Sequence, residues 1–179
     1  MSKQLYYIAI VCPDDINEAI LTHKHWMRQH FGCKAALKSP AHITLIPSFL
    51  MEARQEEDLV ETLEAFQFQE PLLDLSLHNF DHFGTGVIFA HVVPSEALSR
   101  LKTALEEHLI QHPYLGLRQE MRSFHAHVTV ANRDLQEGDF PVAWEYFSQL
   151  SYDASFQANG FALLQLDGAK WEVIHKFDW

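Results

Sequence analysis

The stretch Phe124-His125-Ala126-His127-Val128-Thr129-Val130 alternates apolar and polar side chains with the two-residue period of a half-buried β-strand. His125, His127 and Thr129 point one way, and Phe124, Ala126, Val128 and Val130 point the other. Aliphatic packing on one face leaves two imidazoles and a hydroxyl on the opposite face, a composition suited to the wall of a site. Ala41-His42-Ile43-Thr44-Leu45-Ile46 is a second copy, with His42 and Thr44 on one face and Ile43 and Leu45 on the other. A chain that carries His-x-Thr twice has to bury two aliphatic strand faces while keeping both polar faces open.

The flanking pattern supplies the rest of the architecture. Leu5 to Val11 is an apolar first strand running into Pro13-Asp14-Asp15, which opens a helix with Ile16, Ile20, His23, Met27 and Phe31 on one side and Gly32 as its stop. The His42 strand ends at Pro47, and a helix with Leu59, Leu63 and Phe66 on one face follows. Leu72 to His78 alternates as a strand, Asn79 to Gly86 reads as a loop, and Val87 to Val93 as another strand. Ser95 caps a helix built on Leu98, Leu101, Leu105 and Leu109, which His112-Pro113 ends. After the His127 strand, Asp139 and Pro141 start a helix with Val142, Tyr146 and Leu150. A hairpin, Phe161 to Leu166 and Trp171 to Phe177, closes the chain at an Asp167-Gly168 turn.

The order strand, helix, His-x-Thr strand, helix therefore occurs twice. Leu5 and Val87, Asp14 and Ser95, His42 and His127, and Glu56 and Asp139 are offset by 82, 81, 85 and 83 residues. A nearly constant offset indicates a duplicated unit. The expected fold is α+β: two pseudo-symmetric lobes, each an antiparallel sheet with helices on its outer face, enclosing a central cleft that carries both His-x-Thr strands. Residues 1–179 are expected to form one bilobal domain.

Charge narrows the partners. The net charge of −11 argues against coating a long nucleic acid, whose affinity rests on neutralising many phosphates. Between Glu18 and Glu52 there is no acidic residue, while Lys24, Arg28, Lys34 and Lys38 lie there; Arg118, Arg122 and Arg133 flank His127. Positive charge gathered around both motifs suits a small anionic group in a local pocket. Cys12 and Cys33 are too few for a disulfide framework and lack metal-ligand spacing, so a reducing, cytoplasmic setting is expected. No apolar run approaches the roughly 20 residues of a membrane span, and a monomer is expected.

With both motifs in place, the chain resembles the 2H phosphoesterase superfamily, the 2'-5' RNA ligase-like and cyclic phosphodiesterase proteins. Its signature of two His-x-Thr/Ser-x motifs stands here as His42-Ile43-Thr44-Leu45 and His127-Val128-Thr129-Val130. The resemblance covers essentially the whole chain and implies a metal-independent phosphodiesterase acting on 2',3'-cyclic phosphates or 2'-5' linkages of nucleotides or RNA ends, without a cofactor.

The residue types fit that chemistry on their own terms. Imidazole, with an ordinary pKa near about 6.5, takes or gives a proton near neutrality, so His42 and His127 are the candidate acid/base pair. Thr44 and Thr129 are candidates to hold phosphate oxygens. His125, Arg133, Phe49 and Phe83 are candidate substrate contacts, the arginine through its guanidinium fork and the phenylalanines by stacking on a base. Arg133 pairing with Asp134, and Phe49 or Phe83 packing in the core, are the structural alternatives. The helical His23, His25 and His30 read as surface or boundary residues. Two rivals stand beside the phosphodiesterase: a metal-dependent hydrolase chelating with His125, His127 and His42, and a phosphate-binding module without turnover.

Overall fold

The computed structural model describes residues 2–179. Its strands are β1 (Lys3–Val11), β2 (His42–Glu52), β3 (Leu73–Phe83), β4 (Val87–Val92), β5 (His127–Ala131), β6 (Asp153–Ala158), β7 (Gly160–Asp167) and β8 (Lys170–Asp178). Its helices are α1 (Asp14–Phe31), α2 (Glu56–Glu64), α3 (Glu96–Ile110) and α4 (Phe140–Ser148). The strands form two antiparallel four-stranded sheets, ordered β2-β1-β7-β8 and β5-β4-β3-β6. Each motif strand is thus an edge strand paired with the first strand of its own repeat. By register Val11 lies opposite His42 and His91 opposite His127, so the first strands of the two repeats correspond at an offset of 80 residues.

Alternation sets the two faces of each sheet. Tyr6, Ile8 and Ile10 of β1, Ile43 and Leu45 of β2, and Val128 and Val130 of β5 join one core cluster that also takes in the helices. On the opposite face of the first sheet, Tyr7, Ala9, Ala162 and Leu164 form a smaller cluster with Val11 and Trp171 packed against it. Leu98, Leu101, Leu105 and Leu109 of α3 are all essentially inaccessible, each contributing about 1.5–3 kcal/mol by burial. Ser95 Oγ accepts from the Leu98 N–H at 3.1 Å, the expected N-cap.

The helices are exchanged between the sheets. α1, inserted between β1 and β2, reaches across to β5, and its His23 and Trp26 rings pack on Phe80, Phe147 and Tyr146. α3, inserted between β4 and β5, reaches β2. Each sheet is covered in part by a helix of the other repeat, which ties the lobes into one core.

Several local expectations are corrected. β2 does not stop at Pro47: the ladder runs to Glu52, with Tyr7 facing both Pro47 and Ser48 in a bulge that accommodates a residue without an N–H. The loop expected at Asn79 is strand, because Asn79 adopts φ 55° as the extra residue of a bulge and β3 continues to Phe83. β6 has no counterpart in the sequence reading; it is an edge strand whose Ala154 and Phe156 are only half-buried, giving a weak pattern. α4 buries Phe140, Ala143 and Phe147 and leaves Val142 60% exposed, since its apolar residues surround the helix and do not mark one face. The strand expected over Phe124–Val130 begins only at His127, where its ladder to β4 starts opposite His91. The three helical histidines are where they were expected, His25 and His30 at the surface and His23 at the boundary, packed edge-on between Phe80 and Phe147. Gly160 is fixed by packing: a Cβ there would run into the Phe177 carbonyl oxygen.

Candidate active site

The two motif strands lie against each other where the sheet edges meet, and their polar faces line one pocket of about 690 Å³. That volume is in the usual range for a small-molecule site. His42, Thr44, His127 and Thr129 all line it. Cross-strand neighbours differ between the halves: Thr44 stands opposite Ala9, whereas Thr129 stands opposite the fully buried Phe89. Lys24, Lys38, Lys102, Arg122 and Arg133 also line the pocket, and among the described residues Glu120 is the one carboxylate in its wall. The cleft of this acidic chain is therefore cationic.

Both histidines are held the same way. The Nδ1 atom of His42 lies 2.7 Å from the Pro40 carbonyl oxygen, and that of His127 lies 2.7 Å from the His125 carbonyl oxygen. A carbonyl only accepts, so each Nδ1 carries the proton and donates it, leaving each Nε2 as the lone-pair nitrogen. The segment presenting the Pro40 carbonyl is itself pinned. Lys24 Nζ donates to the Ser39 carbonyl at 2.9 Å, the Ala41 N–H donates to Asn17 Oδ1 at 2.8 Å, and the Cys12 N–H donates to the Ala41 carbonyl at 2.9 Å. On the other side, the irregular segment before His127 is anchored where the Glu120 N–H donates to Glu106, which is paired with Lys102 at 2.8 Å.

Although half-buried and not sealed, His42 is strongly desolvated, which lowers its pKa to about 4. The Pro40 carbonyl opposes that shift, while Lys24 and His127 add to it. Burial likewise lowers His127, with His125 adding to the shift and the His125 carbonyl opposing it. Between pH of about 6.5 and 4 the unfolded chain binds a proton at this position that the folded chain does not. His42 therefore contributes stability that is present above the unfolded value and is lost as pH falls through about 4. NMR titration of the His42 ring should give a midpoint near 4, with the denaturation midpoint declining over the same interval. A ring midpoint near about 6.5 would show that the site is not desolvated.

The remaining expected contacts divide. Phe83 lines the cleft, edge-on to His125 and His127 at 5.0 Å each. His125 lines it too, though from the chain leading into β5. Arg133 lines it in a left-handed conformation (φ 47°). Asp134 does not pair with Arg133, because its Oδ2 accepts from the backbone N–H groups of Lys34 and Ala35. Phe49 is corrected: it is 8% exposed, stacks on Tyr6 at 6.0 Å inside the core, and does not line the cleft, since it lies beyond the β2 bulge. His42, His125 and His127 are not arranged as a ligand set; among the described residues no group of three or more His, Cys, Asp or Glu is placed to hold a metal ion.

Lys24 belongs to the positive charge that the sequence gathers around the His42 strand, and its place four residues after Ile20 on the buried face of α1 is a further legible signal. Two wall residues escaped the sequence reading. Tyr7, whose ring is 4.9 Å from that of His42, and Trp171, 4.6 Å from Tyr7, carried no signal, because β1 and β8 meet the cleft only through sheet pairing.

Comparison with known proteins gives the fold and the family. Over 96% of its length the chain is 25% identical to RNA 2',3'-cyclic phosphodiesterase of Bacillus subtilis (strain 168), covering 94% of that protein. Among solved structures, E. coli LigT complexed with 3'-AMP superposes with a TM-score of 0.71 at 21% identity, over 99% of this chain and 98% of LigT. LigT complexed with phosphate gives 0.62 at 18% identity over the same shares. These structures share the fold of two antiparallel sheets and helices. Residues 13–170 match the family description of the 2'-5' RNA ligase superfamily, and the chain belongs to that family.

Proposed function

We propose that the protein is a phosphodiesterase that opens 2',3'-cyclic phosphates of nucleotides or RNA ends without a metal ion. The observation that carries this reading is the matched pair of histidines in one cationic cleft, each with Nδ1 committed to the carbonyl two residues earlier. Two oriented Nε2 atoms serve an in-line displacement. With one ring neutral and the other protonated at Nε2 as well, the neutral ring takes a proton from water as the water oxygen bonds to phosphorus, and the imidazolium gives its Nε2 proton to the ribose oxygen as the bond from that oxygen to phosphorus breaks. The product is an acyclic phosphomonoester. Thr44 and Thr129, two residues further along each strand, donate to non-bridging oxygens as charge grows on them.

The relatives support the reading. A Bacillus subtilis relative is an RNA 2',3'-cyclic phosphodiesterase, and LigT accommodates 3'-AMP and phosphate on the same fold. Arg133, His125 and Phe83 line the same cleft, which supports reading them as contacts of the nucleotide. Turnover of 2',3'-cyclic nucleotides by the purified protein tests the proposal, with and without a strong chelator. Turnover that survives the chelator is expected. Loss of activity restored by zinc would favour the metal rival, and tight phosphate binding without turnover would favour a binding module.

A further inference from the structure

Lys24 is buried, at 3% exposure, yet it belongs to the wall of the cleft. It extends from the apolar side of α1, between Ile20 and Met27, and its ammonium donates to the Ser39 carbonyl. Among the described residues it forms no ion pair. Lys102, the other buried lysine of the wall, differs in that Glu106 neutralises it at 2.8 Å. A desolvated cation facing only a carbonyl dipole is costly, and such charges are normally paired. Lys24 and His42 line the same cleft, and the cation acts electrostatically on that ring, beside which the phosphoester is proposed to sit, so a counter-charge can reach it from the cleft side.

We propose that Lys24 is an anion-binding residue of the cleft, its ammonium serving as the fixed counter-charge of the substrate's phosphoryl group on the His42 side. This rests on the phosphoester reading of the site and goes beyond the two motifs. Burial lowers the Lys24 pKa to about 8, with the Cys12 thiol nearby opposing the shift. Without an anion the lysine therefore loses its proton just above neutrality; a bound anion favours the charged form. Binding becomes linked to uptake of one proton. Cys12 and Tyr7 do not titrate in that range: burial raises each to about 12, with Lys24 opposing the Cys12 shift and Asp15 adding to it. His42 and His127 are shifted the other way, below their ordinary value. Lys38, Lys102, Arg122, Arg133 and Glu120 are the other charges lining the wall.

Inorganic sulfate, whose charge is constant across the range, is the probe, and calorimetry from pH 7 to 10 is the measurement. Wild-type affinity should fall above pH of about 8, approaching tenfold per pH unit, the signature of one linked proton. Lys24→Met should weaken binding by about 10–100-fold at pH 7, as for loss of a charged contact, and should remove the alkaline decline. Its melting temperature should be unchanged or higher, because an uncompensated buried charge has been replaced by an apolar chain of similar length. Lys24→Arg keeps the charge but does not titrate; it should bind sulfate at pH 7 and show no decline to pH 10. The proposal is overturned if wild type binds no sulfate, if its affinity is flat across the range, or if Lys24→Met binds as wild type does. An alkaline decline retained in Lys24→Arg overturns it too, and that variant decides the matter if the methionine one fails to fold. Sulfate binding is read without turnover, so a protein inactive on cyclic phosphates would remove the proposed reaction and leave the Lys24 result standing.

Discussion

His42→Ala or His127→Ala is expected to lower turnover of a 2',3'-cyclic nucleotide by about 10²–10⁴-fold, the usual worth of a positioned proton-transfer group. Both rings line the same cleft and both have Nδ1 fixed at 2.7 Å from a carbonyl, so neither is a spare. The double variant should lose much less than the product of the single losses, because the groups act on one transition state and one missing partner already disables the step. Neither ring belongs to the sealed core, so circular dichroism of the variants should match wild type. Wild-type rates should trace a bell in pH, and each single variant should lose one limb of it. An unchanged bell would place the titrating groups elsewhere. His125→Ala is the internal control: its ring lines the cleft while its carbonyl, which holds His127, survives the substitution. A larger loss for His125→Ala than for His42→Ala would overturn the paired assignment.

Thr44→Val and Thr129→Val should each cost about 10–100-fold in kcat/KM, the worth of one hydrogen bond to a charged group. Valine matches threonine in shape and strand preference, so the substitution removes the hydroxyl and little else. The two losses should be similar although the neighbours differ, with Ala9 opposite Thr44 and Phe89 opposite Thr129, because both hydroxyls sit two residues beyond a motif histidine. Most of each loss should appear in kcat, since a phosphoryl oxygen gains charge on the way to the transition state. If either variant retains the full rate, the phosphoryl group is not held between the threonines and the pseudo-symmetric site is wrong.

Much of this protein is written locally in its sequence. The alternation of His42-Ile43-Thr44-Leu45 and His127-Val128-Thr129-Val130 assigns each side chain to a face, since a strand has a period of two whatever it pairs with. The Ser95 cap, the leucine series of α3 and the left-handed Gly32 and Gly168 mark element ends for equally local reasons, steric and hydrogen-bonding. The family signature is legible because it consists of such short segments. Tertiary structure decided the rest. No local pattern brings the edges of two sheets together, sends α1 across to β5, or places Tyr7 and Trp171 in the cleft wall. Phe49 and Phe83 look alike in sequence, yet the β2 bulge turns one into the core and the β3 bulge carries the other to the cleft. Lys24 becomes a charge without a partner only when α1 is packed, because desolvation belongs to the assembled fold and not to the helix that carries it.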